Sequence, residues 1–562
     1  MKTQWHCDSM LRWFGSAVLA AVLGAPAMAQ NVAVTGADPA AAEQGTLQIP
    51  IQITGRGFRA GAQARFSVTG TTNPGGVTVL STTYVSSTEL RAIVDIADDA
   101  QIDLYDIEVQ NVDGRGGKGM ELFRVTEKAN GGGVACALLP LDPKFTLVAT
   151  IQSDSISGRE FGRSTGLRRM SLNGHDVLVA AIGTRGDMIE VMVLDALTGA
   201  PRALDGAPLT GGPAPSLRLP YSGVVGAVAL GDVNADGVPD ILAGRPASNT
   251  AFLYVGAIAG GQLAHSAGIA IHQASGAPQW VGGGSIAIGD LDGSAGDELA
   301  IGDIGGGGKG KNNGTPGRIH LYRYNASTAS VSYLRSISSP FDNRGDDRFG
   351  MTLGIYQKEL LAASPLSSVN GVSGAGRGLV FPNPLVNSNY IEFPGRYKDD
   401  NFGRQAEGAL LVNGHPGYLF STAWSNSSTR SEWHARVVPP FATSNPIFTV
   451  QPEAGYHGGW NTSRPAVGDI DGDGIDDIVI GAANATSTGC SQNVDSGTVY
   501  IYLTTLGFSR IRIEPPDRDR DWNVFGWSVA TAPGSKVLLV GEPGRDHGSV
   551  SNAGRVYIYR VN

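Results

Sequence analysis

The sequence predicts an all-β chain, a seven-bladed β-propeller preceded by a small β-sandwich. Two observations predict it. Aromatic-glycine or apolar-glycine anchors recur at roughly 53 to 68 residues along the last three quarters of the chain, the size of a propeller blade with generous loops. Glycine supplies 79 of 562 residues, about twice average usage, as a chain with many tight loops requires.

The N-terminus carries Lys2 and Arg12, an apolar run from Phe14 to Leu23, and Ala27-Met28-Ala29 before Gln30. This reads as a secretory signal over residues 1–29, too short in its apolar part to be a membrane anchor. No other segment could span a membrane, so the expected protein is exported: periplasmic, secreted or held at the cell surface. Residues 31–127 read as a separate unit. Alternation in Leu47–Phe58, Thr88–Val94 and Tyr105–Asn111, with turn residues between, predicts a small sandwich. Residues 128–144, with Gly131-Gly132-Gly133, are a flexible linker.

From 145 to 562 the repeating unit reads apolar strand, acidic loop, apolar strand, polar loop, aromatic strand. Its anchors are Phe161-Gly162, Phe349-Gly350, Phe402-Gly403 and Phe525-Gly526, with Val225-Gly226, Val281-Gly282 and Trp460 as weaker equivalents; seven anchors give seven units. The third strands look alike, as in Arg318–Tyr322, Thr498–Tyr502 and Arg555–Tyr559. The last unit stops after its third strand, while Phe145–Ile151 resembles the fourth strands Ile447–Val450 and Ile511–Ile513. The first segment is therefore expected to complete the last blade and close the ring, leaving only short, protected edges.

Three of the acidic loops share a pattern. Asp232, Asn234, Asp236, the Val238 carbonyl and Asp240 stand at positions 1, 3, 5, 7 and 9 of the first. Asp469, Asp471, Asp473, the Ile475 carbonyl and Asp477 do so in another. Asp290, Asp292, Ser294, the Gly296 carbonyl and Glu298 form a weaker version, in which Asp297 competes with Glu298 for the last place. Calcium takes six to eight hard oxygen ligands in a flexible cage, so these loops predict two calcium sites and a doubtful third. An EF-hand would need a Glu at position 12 and flanking helices; here Ala243 and Ile480 hold position 12 and the flanks are strands.

These residues resemble the FG-GAP repeat propeller that forms the head of integrin α subunits. The Phe-Gly pairs are intact, and the Gly-Ala-Pro motif survives in degraded forms at Gly244-Arg245-Pro246, Ala363-Ser364-Pro365, Gly481-Ala482-Ala483 and Gly541-Glu542-Pro543. The N-terminal unit is similar to IPT/TIG immunoglobulin-like domains in its Gly-x-Gly-Phe and Tyr-Asp-Ile-x-Val-x-Asn-x-Asp-Gly stretches. The first resemblance implies cation loops on one face. It also implies a ligand face opposite, built from the second-to-third-strand and blade-to-blade loops.

Those second-to-third-strand loops are long and polar: 303–317, 365–376, 482–497 and 542–554. Lys309, Lys311, Asn312, Arg545, Asp546 and His547 have no evident structural duty there and are the expected ligand contacts, for a protein or a carbohydrate. A carbohydrate-binding chain would cluster aromatics such as Trp280, Trp424, Trp433 or Trp460. Arg185-Gly186-Asp187 and Arg344-Gly345-Asp346 invite an adhesion reading, against which a glycine-rich chain contains such a triplet by chance about a few tenths of the time. A net charge of −9 with 17% charged residues argues against nucleic acid. The histidines make no H-x-x-x-H pair, no G-x-S-x-G elbow occurs, and Gly305–Lys311 lacks the Ser/Thr of a phosphate loop. The expectation is a binding or adhesion protein that is not an enzyme, with a hydrolase or lyase as the remote alternative. Cys136 and Cys490 remain after processing, either as one disulfide or as two buried thiols.

Overall fold

The computed structural model describes residues 32–126 and 141–562, apart from 45, 47, 98–99, 153–155, 212, 245–249, 273–280, 305–316, 342–346, 396–397, 400, 412–414, 422–434, 439–447, 451–455, 458–464, 484–485, 488–495, 504–508, 517–522 and 548–549. The described residues are all-β, with no helix. The expected signal at 1–29, Cys136, Cys490, the four tryptophans named above, the second Arg-Gly-Asp triplet and Lys309, Lys311 and Asn312 lie outside them.

Residues 32–126 form two four-stranded sheets over one core. One holds Ala33–Asp38, Ile49–Arg56, Glu89–Ile96 and Val77–Ser86; the other holds Ala41–Glu43, Gly116–Thr126, Leu104–Gln110 and Gln63–Val68. Alternation in the sequence becomes alternation in burial: Ile51, Ile53, Leu90, Ala92, Val94, Tyr105, Ile107 and Val109 point into the core between the sheets. Phe66 and Phe123 meet edge-to-face inside it, ring centroids 5.2 Å apart.

The other described residues include seven four-stranded antiparallel sheets in sequence order. Their first strands are Ser164–Leu172, Ala227–Gly231, Val281–Gly289, Leu353–Tyr356, Ala406–Leu411, Ala466–Gly468 and Ser528–Ala530. Each first strand contacts the next, and the last contacts the first, so the path of contacts returns to its start. The last sheet takes its outer strand from the other end of this region: Phe145–Gln152 pairs antiparallel with Arg555–Val561. Second strands such as Asp240–Gly244, Glu298–Asp303, Asp477–Ala482 and Val537–Glu542 are buried at every residue. Neighbouring sheets cover both of their faces, which is why they read as continuous apolar runs. An added hairpin, Gly256–Ala259 with Gln262–His265, extends the second sheet's outer loop and was not expected from the sequence.

The Phe-Gly pairs explain how one sheet is fixed to the next. Phe161, Phe349, Phe402 and Phe525 are all buried. The amides of Phe161, Phe402 and Phe525 donate to Ala553, Ala375 and Ser496 of the preceding sheet. The following glycines have φ of 79–92°, and a Cβ there would lie 2.6–2.9 Å from a carbonyl oxygen of that sheet's third strand. Only glycine accepts both the left-handed backbone and the close approach. Phe161 also bridges Gly554, so the first sheet grips the last by the same device that joins the others.

Candidate metal centre and the opposite face

Each acidic loop joins the first and second strands of its sheet. Its hairpin is closed by a glycine paired with the ninth loop residue: Gly231 with Asp240, Gly289 with Glu298, Gly468 with Asp477. The second loop residue, Val233, Leu291 or Ile470, is a buried apolar anchor. Its amide donates to the ninth carboxylate, at 2.6, 2.9 and 3.1 Å in the three loops. Asp240, Glu298 and Asp477 are fully buried. Glu298 therefore fills the ninth place. Asp297 turns away to the neighbouring loop, where it accepts the Asp232 amide at 2.7 Å and donates its own to the Asp232 carbonyl at 2.8 Å.

Loops 232–240 and 469–477 are built alike. The two oxygens of the first aspartate accept the amides of the fifth and sixth residues: Asp236 and Gly237 on Asp232, Asp473 and Gly474 on Asp469. The seventh residue's amide caps the fifth carboxylate, Val238 on Asp236 and Ile475 on Asp473. Gly237 and Gly474 at position 6 take φ of 80° and 89° and supply the reversal. Ligand oxygens of Asp469, Asp471 and Asp477 lie within 4.8 Å of one another and could hold a metal ion. In the first loop Asn234 takes the place of the third-position acid, and its amide donates to Asp236 at 2.9 Å.

The electrostatics favour a cation in both. Burial pushes Asp240 up to about 7, against the pull of the Gly256 and Val233 amides, with Asp236 and Asp232 adding repulsion. Asp471 is also raised, first by burial and then by Asp473. A divalent ion among these oxygens would hold the carboxylates ionised. The hard oxygen set suits calcium or magnesium more than a transition metal.

Loop 290–298 departs from that plan. Asp290 accepts amides from positions 3 and 4, Asp292 and Gly293, instead of 5 and 6. Ala295 replaces the glycine, and the left-handed residue moves to Gly296, φ 91°, at the position whose carbonyl should face an ion. Asp290, Asp292 and Glu298 nevertheless gather their oxygens within 4.8 Å.

First strands run from the Phe-Gly end to the acidic loop, so the opposite end of each sheet carries the other face. There Glu160 pairs with both Arg163 and Arg185, the latter at 2.7 Å. The Arg163 guanidinium sits 5.2 Å over the Trp527 ring. Arg404, two residues after Phe402, is largely buried and held below the usual guanidinium range by burial and by the charge of Arg348. Apart from Arg185, which belongs to an Arg-Gly-Asp triplet, none of these was singled out in the sequence; the signal of the others was their place beside the Phe-Gly pairs. The triplet Arg185-Gly186-Asp187 begins a paired strand, with Arg185 opposite Val224 and Gly186 opposite Gly223, and is not a loop tip.

Two expected ligand loops are corrected in part. In 542–554, Arg545 is only 3% exposed, its amide and carbonyl bond Glu542 and Gly554, and Asp546 accepts the Asn552 amide. Arg545 and Asp546 thus shape their own loop. In 365–376, Ser367, Val369 and Ala375 are buried, so much of that loop packs against the sheets.

Residues 461–502 match the FG-GAP repeat model. Curated proteins give no match. Among solved structures, the chain is similar to BBS1N in its complex with ARL6DN, at 10% identity, covering 75% of this chain and 97% of that one, with a TM-score of 0.40. It is similar to the rhamnogalacturonan lyase PL11 of Bacillus licheniformis at 11% identity, covering 95% and 90%, with a TM-score of 0.34. It is similar to an ancestral GH74 enzyme at 9% identity, covering 92% and 64%, with a TM-score of 0.35. The expectation that the chain is not an enzyme is corrected by these matches: a lyase and a GH74 enzyme stand among its structural neighbours, and that expectation is dropped. Among the described residues no helix is long and apolar enough to cross a membrane.

Proposed function

We propose that the chain is an exported, calcium-stabilised ligand-binding or adhesion protein. In this reading the seven sheets are the blades of a closed propeller, and residues 32–126 are an immunoglobulin-like domain in front of it. The observation that carries it is the shared build of loops 232–240 and 469–477. In both, a buried ninth carboxylate and a fully amide-capped first aspartate sit on a rigid hairpin. Such loops use their charge on an ion and brace the sheets, so they leave recognition to the opposite end of the sheets. Arg163, Arg185, Trp527 and Arg404 there combine an aromatic face with cationic groups, a set that suits a protein carboxylate or a polar saccharide.

The test is a binding screen with the full chain, on a glycan array and against the producing organism's surface extract. Trp527→Ala and Arg404→Ala are expected to weaken capture while keeping the calcium-dependent melt. Undiminished capture by both variants would place recognition elsewhere, and capture by residues 32–126 alone would assign it to that domain.

A further inference from the structure

We infer that the loop at 290–298 carries its own cation: the guanidinium of Arg323 takes the place that calcium takes in the loops at 232–240 and 469–477. The inference rests on the calcium reading for those two loops, and it divides three similar sequences into two kinds of site.

The geometry is specific to this loop. Arg323 lies on the third strand, Arg318–Asn325, directly opposite Glu298 in the register. Its Nε and Nη2 both donate to Glu298 Oε1, at 2.9 and 2.6 Å, and Nη2 donates again to Asp292 Oδ2 at 2.5 Å. One guanidinium thus ties together two of the three acids whose closeness otherwise suggests a metal, and it neutralises the one that is fully buried. Continuing the register by one residue places Val255 opposite Asp240 and Leu503 opposite Asp477. Neither aliphatic chain supplies a charge at the register position that Arg323 holds opposite Glu298. Arginine suits the substitution because its planar fork meets carboxylates at fixed angles and stays charged.

The backbone agrees. The reversal at Gly296 lets the second loop lean on the first: a Cβ on Gly296 would lie 2.4 Å from the Val233 carbonyl oxygen, and Asp297 exchanges two hydrogen bonds with Asp232. Ser294 at position 5 offers a hydroxyl where the other two loops offer a carboxylate. The second loop is a permanently filled brace for its neighbour, with no need of metal.

Two measurements on the full chain test this. In the first, metal-stripped protein is titrated with calcium alone. Wild type should saturate at two equivalents; Asp232→Asn and Asp469→Asn should each lose one, and Asp290→Asn none. A third equivalent that Asp290→Asn removes would overturn the inference. If no variant changes the stoichiometry because wild type binds no calcium, the calcium reading fails instead. The second measurement does not depend on calcium. Arg323→Leu leaves Glu298 buried without its partner and should lower the melting temperature equally in calcium and in chelator. Adding Glu298→Gln should recover a large part of that loss. A wild-type melt for Arg323→Leu in chelator, or a double variant as unstable as the single, would overturn it.

Discussion

Asp469 and Asp477 show at residue scale what the acidic loops require. Asp469 caps three loop amides and Asp477 caps the buried hairpin. Replacing Asp477 by Ala removes a buried acceptor and one of the oxygens that would hold the proposed ion. The loss should be about 1–3 kcal/mol from the uncapped amide alone, read by denaturant melts in chelator, and larger in calcium. His265 gives a separate, metal-free prediction. Its Nε2 bonds the Pro239 carbonyl at 3.1 Å, while its buried Nδ1 has no hydrogen-bond partner. Burial lowers its pKa from 6.5 to about 4. The folded state therefore holds it neutral, and between those values the unfolded chain binds more protons. Stability is fully present above about pH 6.5 and falls as pH drops toward 4, by roughly 2–3 kcal/mol. His265→Gln should flatten that part of the stability profile; an unchanged slope would show that other groups set it.

Among the elements, the Phe-Gly pairs and the acidic hairpins divide the labour. The first fix sheet to sheet, and the second close strand to strand. Phe402 is 1% exposed, with Phe420 packed at 5.7 Å, so Phe402→Ala should cost about 3–5 kcal/mol in a denaturant melt. Gly526→Val should be worse than a simple cavity, because φ is 79° and the Cβ would meet the Thr498 carbonyl oxygen at 2.7 Å. The repeating elements were legible in the sequence because each is encoded locally: a Phe-Gly step, an acid-glycine loop, a short apolar run. Loop 290–298 was only half legible. Ser294 and Ala295 flagged it as irregular, but Arg323 stands 25 residues beyond Glu298 and meets it only through strand register. Arg545 misled for a related reason. A polar residue in a long loop reads as exposed, and burial depends on how that loop folds back over its own sheet.

For the whole molecule, closure was legible because Phe145–Ile151 resembles the fourth strands of other units. In the fold, Phe145–Gln152 pairs with Arg555–Val561. Deleting 145–152 should bare the edge of Arg555–Val561, and the truncated chain should aggregate in light scattering behind size exclusion. A monomer with a wild-type melt would show that this strand is dispensable. The opposite face was poorly legible, because Glu160, Arg163, Arg185 and Trp527 come from three separated segments and meet only in the folded chain. In the proposed reading bound calcium holds the ring together, and a melt of the full chain in calcium and in excess chelator is the sharpest check. Each filled loop should add about 2.7 kcal/mol at free calcium a hundredfold above its dissociation constant. The account predicts a melting temperature several degrees higher in calcium, with the difference abolished in the Asp232→Asn, Asp469→Asn double variant. The same melting temperature in calcium and in chelator would contradict it.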